Sequence, residues 1–204
     1  KVIWPGQVYQ PIRYLTNVNG TAFFSGNDGA SGLELWKSDG TAAGTLLVKD
    51  INSGSAISGP HNLTNVNGTL YFSADDGVHG QELWKSDGTA GGTVMVKDVN
   101  VDSADSRPAH LTNINGTLYF SGSDGTGIGL WKSDGTAAGT TLIKEFVTGN
   151  PSYDSAIEYL TNVNGTLFFA AYDATHGKEL WKSDGTVAGT VLVKDINPGT
   201  GSSA

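Results

Sequence analysis

Aromatic and histidine side chains, in the segments that differ between the repeats of this sequence, are the best candidates for ligand binding. They lie beside acidic residues, as Tyr153 does beside Asp154 and Tyr172 beside Asp173. Such a set suits sugars, because a sugar offers an apolar face for stacking and hydroxyls for hydrogen bonds. The predicted ligand-binding residues are Trp4, Tyr9, Tyr14, His61, His79, His110, Tyr153, Tyr159, Tyr172 and His176. The alternative stays open that the tyrosines anchor long loops and the acidic residues keep those loops soluble.

Metal binding is less well supported by the residue types. Asp28, Asp76, Asp124 and Asp173 open four related short loops, but Ca²⁺ needs six to eight oxygen ligands, and one aspartate per loop supplies too few. Local hydrogen bonds of an Asx turn are therefore the favoured role of these aspartates. His79 and His176 occupy matching positions in two of the loops, which is a weak metal pattern. The chain contains no cysteine, which excludes disulfides and thiolate metal sites.

Nucleophilic and metal-assisted catalysis have no recognisable pattern in this sequence. It contains no G-x-S-x-G, no H-E-x-x-H and no phosphate-binding loop. The spacing of its serines and histidines does not indicate a nucleophile with its base. We predict that the protein is not an enzyme.

A twelve-residue sequence motif occurs four times, and the repeated scaffold to which it belongs must position all of these residues. It reads ELWKSDGTAAGT at Glu34–Thr45, and close copies begin at Glu82, Gly129 and Glu179. Self-similarity at a period of about 48 residues is typical of solenoids, propellers and arrays. The tryptophans of the four copies are Trp36, Trp84, Trp131 and Trp181.

Each repeat divides into four short runs that favour β-strands. In the second copy these are HNLTNV, TLYFSA, QELWKS and TVMVKDV. The first connection is Asn-Gly in every copy, which predicts a type I′ turn. A four-stranded antiparallel meander with a long last connection is the blade of a β-propeller. We predict an all-β fold, a β-propeller in a single domain over 1–204, with blades at about 12–51, 61–99, 109–146 and 158–196.

Four blades are the smallest number that closes a propeller, and we favour a closed four-bladed ring. The alternative is half of an eight-bladed ring formed by dimerisation. In both arrangements the tryptophans pack between blades, and the aspartates of the S-D-G-T turns accept local backbone hydrogen bonds. The predicted structural residues are Trp36, Trp84, Trp131, Trp181, Asp39, Asp87, Asp134 and Asp184.

The blade topology places the connections on two opposite faces. The first and third connections are nearly identical in all copies and share one face, whereas the second and fourth differ and share the other, which we call the variable face. Binding sites are usually built from such loops on a constant scaffold. The inner strands, which read LTNV or LTNI, lack the paired carboxylates of a glycosidase. Their oxygens could hold a water or a cation in the central channel, and no other cofactor is expected.

The phrase ELWKSDGTAAGT, with the VKDI strand and LTNVNGTLYF, resembles the ELWxxDGTxxGT repeats of large, hyalin-like secreted bacterial proteins. The resemblance covers almost the whole chain and departs from the pattern at Gly129, which replaces the glutamate of the third copy. It implies a β-propeller-type repeat protein located outside the cell or on the cell surface. It implies no reaction.

Composition removes two classes of partner. The net charge of −8 argues against nucleic acid, whose phosphates need clustered Lys and Arg. No apolar stretch of about 18 residues is present, so membrane insertion is not expected. We predict a non-catalytic binding or adhesion module of a secreted bacterial protein that recognises a glycan or a protein surface through the variable face. The alternative is a purely structural or self-assembling scaffold without a small-molecule ligand, for which a homo-oligomer is expected.

Overall fold

Sixteen β-strands make up the regular structure of residues 12–148 and 156–203, which a computed structural model of the chain describes. They pair into four antiparallel sheets of four strands, each in chain order. This confirms the predicted all-β fold built from four propeller blades. No helix of these residues is long and apolar enough to cross a membrane.

The strands of each blade run from the inner edge to the outer edge. Blade 1 contains β1 (Arg13–Val18), β2 (Thr21–Asn27), β3 (Leu33–Ser38) and β4 (Leu46–Lys49). Blade 2 contains β5 (His61–Val66), β6 (Thr69–Asp75), β7 (Gln81–Ser86) and β8 (Val94–Lys97). Blade 3 contains β9 (Ala109–Ile114), β10 (Thr117–Ser123), β11 (Gly127–Ser133) and β12 (Thr141–Thr148). Blade 4 contains β13 (Ile157–Val163), β14 (Thr166–Asp173), β15 (Gly177–Ser183) and β16 (Val191–Lys194).

The two turns on the constant face form as their residues predict. In blade 2, Asn67 and Gly68 have φ angles of 51° and 87°, so both central residues are left-handed, as a type I′ turn requires. In the S-D-G-T turn, Asp87 Oδ1 accepts hydrogen bonds from the backbone N–H and the hydroxyl of Thr89, at 2.8 and 2.7 Å. Those two bonds lower the pKa of Asp87. The other three blades repeat both turns.

Neighbouring blades pack face to face through three hydrophobic clusters. We call the side of a blade that packs on the following blade its forward face, and the opposite side its rear face. Between blades 1 and 2 the forward face supplies Val18, Leu35 and Val48, and the rear face supplies Phe72 and Trp84. Equivalent residues fill the interfaces between blades 2 and 3 and between blades 3 and 4.

The repeated tryptophans occupy the rear faces. Trp84, Trp131 and Trp181 are each 5% exposed, because the preceding blade covers them. The Nζ atoms of Lys49 and Lys97 lie 5.7 and 6.0 Å from the ring centroids of Trp84 and Trp131. Each covered tryptophan therefore joins its blade to the one before it.

The inner strands β1, β5, β9 and β13 do not close into a ring among the described residues. The Oγ1 atoms of Thr16, Thr64 and Thr112 lie 3.1, 3.2 and 3.1 Å from the leucine carbonyl oxygen of the following inner strand, whereas Thr161 bonds only to Tyr159 of its own strand. β13 packs beside β9 but makes no comparable contact with β1. Among the described residues, three blade interfaces are thus present, and blade 4 makes no comparable contact with blade 1.

Candidate functional site

Each inner strand carries a β-bulge at its variable-face end. In β5, His61 pairs with Ser73 and Thr64 pairs with Tyr71, so the inner strand holds one residue more than its partner. The same extra residue occurs in β1, β9 and β13. Each bulge contains one left-handed residue: Tyr14, Asn62, His110 and Tyr159, with φ of 57°, 56°, 56° and 56°.

These four bulge positions hold tyrosine in blades 1 and 4, asparagine in blade 2 and histidine in blade 3, although the backbone repeats. The left-handed conformation costs a residue with a side chain roughly 1–2 kcal/mol, and asparagine accepts it more readily than tyrosine does. Tyr14 and Tyr159 nevertheless occupy it, with side chains 46% and 74% exposed. Bulges re-aim side chains beside functional sites, and backbone strain at an exposed aromatic residue is typical of such a site.

A cavity of about 240 Å³ lies between blades 2 and 3 on the variable face. It brings together two of the predicted residues, His61 from β5 and His110 from the bulge of β9. The ring of Tyr14 lies beside His61, with centroids 6.1 Å apart and planes inclined by 47°. The remaining lining residues are Gln81, Arg107, Pro108, Ala109, Ser121, Gly122 and Ile128.

The cavity is polar, with charged pairs at its two sides. Arg107 Nε lies 3.2 Å from Asp105 Oδ2 on the side of blade 2. On the side of blade 4, Lys178 Nζ pairs with Glu158. Desolvation lowers the pKa of His110, an effect that the carboxylate of Glu158 opposes. The neutral imidazole of His110 can then both donate and accept a hydrogen bond at neutral pH.

The other predicted ligand residues lie apart from this cavity. His79 Nδ1 lies 2.8 Å from Asp76 Oδ2, and this hydrogen bond raises the pKa of His79. His176 makes the same pair with Asp173 at 2.9 Å. The two pairs lie in the β6–β7 loop of blade 2 and the β14–β15 loop of blade 4. Each histidine therefore bonds within its own turn.

Tyr172 lies in β14 and is 40% exposed, and its backbone N–H donates to Ala156 O just before β13. Trp4, Tyr9 and Tyr153 fall outside the described residues. Asp28 Oδ1 and Asp76 Oδ1 each accept two backbone N–H bonds at 2.9 Å, as in an Asx turn. Within residues 12–148 and 156–203 no three His, Asp or Glu side chains lie close enough together to hold a metal ion.

Sequence reasoning missed the role of the glutamate in the repeated phrase. Glu34, Glu82 and Glu179 are at most 1% exposed. Glu82 accepts hydrogen bonds from the N–H of Val99, at 2.9 Å, and from the N–H and hydroxyl of Ser106, at 3.1 and 2.7 Å. It therefore ties both ends of the long connector between blades 2 and 3 to β7, and so supports the backbone around Arg107.

The pKa values of these carboxyl groups follow from burial and hydrogen bonding. Burial raises the pKa of Glu82 to about 7, although Ser106 and the backbone donors act in the opposite direction. Burial raises the pKa of Glu34 for the same reason. At Glu179 burial acts upward too, but the hydrogen bonds outweigh it and the pKa is lowered. The signal in the sequence was an acidic residue that recurs directly before the Leu-Trp pair of β3, β7 and β15.

Blade 3 has no glutamate that ties its connector to the third strand, because Gly129 occupies that position. A Cβ at Gly129 would lie 2.3 Å from Leu142 Cδ1 and 2.9 Å from the carbonyl oxygen of Lys144, so no side chain fits without movement of β12. The neighbouring β12 is the longest fourth strand, at eight residues. The substitution thus follows from a closer approach of β11 and β12.

Comparison with known proteins shows the fold and no family. No protein-family model and no curated protein matches the chain. The chain is similar to puromycin hydrolase, with 14% identity and a TM-score of 0.61 over 93% of this chain and 29% of that one. It is also similar to a prolyl endopeptidase, with 11% identity and a TM-score of 0.54 over 85% of this chain and 24% of that one.

A third solved structure, an α-L-arabinofuranosidase from Clostridium thermocellum, has 18% identity and a TM-score of 0.38 over 87% of this chain and 70% of that one, which supports no conclusion about this chain. The chain spans less than a third of the length of the first two proteins. At such identities the likeness concerns the backbone and not the chemistry. The chain is thus similar to known proteins in its β-propeller blades alone.

Proposed function

We propose that this chain is a non-catalytic β-propeller module that binds a carbohydrate on its variable face. The observation that carries the proposal is the repeated bulge, which holds Tyr14, Asn62, His110 and Tyr159 at equivalent, left-handed positions. Three kinds of side chain on one repeated and strained backbone element form a surface that varies while the scaffold stays constant.

Ligand chemistry follows from the groups around the cavity. His61, Gln81 and Arg107 offer hydrogen-bond donors and acceptors, and Ile128 offers an apolar wall. About 240 Å³ is less than the roughly 300–1,000 Å³ of drug-sized pockets, so the cavity suits one sugar ring. The exposed ring of Tyr14, beside His61, supplies a stacking surface for a neighbouring sugar ring. Tyr159 offers the same exposed ring at the equivalent position of blade 4.

The resemblance of the repeats to those of secreted bacterial proteins supports a location outside the cell or on the cell surface. A module that recognises glycans there would serve adhesion. A protein surface that presents sugars is an equivalent target for the same groups.

A glycan array tests this proposal directly. The wild-type chain should bind a limited group of glycans, and a Tyr14→Ala/Tyr159→Ala variant should weaken binding to the best of them about tenfold or more, because two stacking surfaces are lost. A His61→Ala/His110→Ala variant removes the polar groups of the cavity and should weaken the same binding. Val187→Ala is the matched control, since Val187 is 68% exposed on the constant face.

Two results would contradict the proposal. One is flat or absent binding across a broad array by the folded wild-type protein. The other is binding that both double variants retain, because the ligand would then lie elsewhere on the molecule.

A further inference from the structure

The forward face of blade 4 is exposed, although the same face is buried in every other blade. Val193 is 43% exposed, whereas Val48, Val96 and Ile143 at the equivalent position are 5–6% exposed. The difference is larger just beyond the fourth strand, where Ile196 is 56% exposed and its counterparts are buried. The additional exposed apolar residues of this face are Val163 and Leu180, at 45% and 37%.

Polar groups of the same face also lack the partners that their counterparts have. Lys37, Lys85 and Lys132 donate from Nζ to a glycine carbonyl in the S-D-G-T turn of the following blade, at 2.8, 2.8 and 2.9 Å. Lys182 is the equivalent residue of blade 4, and its side chain is exposed. Lys194 is likewise exposed, whereas Lys49 is half-buried and donates to Thr93 O at 2.8 Å beside Trp84.

The rear face of blade 1 presents the matching half of the interface. Leu15 is 71% exposed, whereas its counterparts pack against the clusters between blades. Trp36 is only half-buried, and Gly40 is exposed where Gly88 and Gly135 are buried. In the three interior interfaces these positions receive the apolar side chains and lysines of the preceding blade.

We propose that the forward face of blade 4 binds the rear face of blade 1 in a second copy of this chain, and that the second copy returns the same contact. By the pattern of the interior interfaces, Lys182 then donates to Gly40 O, and Lys194 lies over the ring of Trp36. Two copies cover all four end faces and place eight blades in one ring.

The interior interfaces identify the occupant because they show what each face accepts. A forward face is covered in three places by a rear face that carries leucine, phenylalanine and tryptophan at fixed positions. Blade 1 of this chain carries Leu15, Phe24 and Trp36 at those positions. Its own blade 1 does not cover blade 4, since β13 and β1 make no contact comparable to that of neighbouring inner strands. A second copy supplies the required surface.

Native mass spectrometry and light scattering of the chain at micromolar concentration test the proposal. The expected mass is twice 21.2 kDa. Val193→Asp on the forward face and Leu15→Asp on the rear face should each weaken the dimer about a hundredfold or more, because an unpaired carboxylate is buried. Both positions are exposed in the single chain, so the blades should still fold, as circular dichroism will show. Val187→Asp, in the turn of blade 4, should leave the dimer intact.

Mixing the two weakened variants shows which faces meet. In the mixture, one of the two interfaces joins the intact forward face of the Leu15→Asp copy to the intact rear face of the Val193→Asp copy. A mixed dimer should therefore form where neither variant dimerises alone. Contact between like faces would predict no such rescue.

Three outcomes would overturn the proposal. A monomeric wild-type chain would mean that the end faces are covered by its own blade 1 or by further blades of a longer protein. A dimer that both aspartate variants preserve would place the contact elsewhere. Loss of the dimer in Val187→Asp alone would do the same.

Discussion

At the residue scale, a tyrosine at a bulge position lowers the stability of the fold and offers an exposed ring for ligand binding. Tyr159 holds a left-handed backbone that blade 2 assigns to Asn62, and asparagine tolerates this conformation better. Most of the Tyr159 side chain is exposed, so packing does not compensate for the strain. A tyrosine at this position therefore destabilises the fold, but its exposed ring can serve as a stacking surface.

Exchange of these two residues measures the strain. Tyr159→Asn should raise the free energy of unfolding by about 1 kcal/mol, and Asn62→Tyr should lower it by about the same amount or more. The second change also removes the hydrogen bond of 3.1 Å from Asn62 Nδ2 to Pro108 O. Urea denaturation of both variants checks the prediction.

Tyr159→Phe, which keeps the ring and the strain, is the control and should leave the free energy of unfolding nearly unchanged. A destabilised Tyr159→Asn variant would show that the tyrosine ring makes stabilising contacts that outweigh its backbone. The interpretation of the strained bulge as part of a binding site would then have no support.

At the element scale, local chemistry was predictable from the sequence and register was not. Asn67-Gly68 and the Asp87 turn depend on residues within a few positions of one another, so their residue types determine the backbone. The bulge at Asn62 depends on how β5 pairs with β6, and no residue type in LTNV marks it. Sequence reasoning therefore placed His61 and His110 on the correct face without showing that they share one cavity.

Buried Glu82 makes the connector between blades 2 and 3 sensitive to pH. Glu82 binds its proton more tightly in the folded protein, with a pKa of about 7, than in the unfolded chain, where the value is 4.5. Its contribution to stability is therefore complete below pH 4.5 and is lost as the pH rises through about 7. The difference corresponds to about 3 kcal/mol.

Glu82→Gln should flatten this dependence, because glutamine does not titrate. We expect the wild type to lose more stability between pH 5 and about pH 8 than the variant does, by up to about 3 kcal/mol in urea denaturation. Asp102→Asn, at an exposed position in the same connector, is the control and should keep the wild-type slope. Equal slopes for wild type and Glu82→Gln would show that Glu82 stays ionised in the folded protein through its backbone donors.

At the scale of the whole molecule, the repeat predicted the blade and left ring closure open. Each blade is defined by its own sequence, whereas closure depends on the small angle between successive blades. That angle is set by how residues such as Phe72 and Trp84 fill the space beside Leu35 and Val48. Four nearly identical copies cannot reveal it, since each interface looks alike in the sequence.

The end blades should therefore contribute less stability than the middle ones, as nearest-neighbour coupling predicts for repeat proteins. Trp84→Ala opens a cavity between blades 1 and 2 and should cost about 3–5 kcal/mol. Trp36→Ala should cost much less in the single chain, because Trp36 is half-buried and blade 1 is the first blade among the described residues. Urea denaturation at a protein concentration low enough to keep the chain monomeric compares the two variants.

At high protein concentration the cost of Trp36→Ala should rise toward that of Trp84→Ala if a second copy covers Trp36. Equal costs at every protein concentration would indicate instead that the chain closes its own ring.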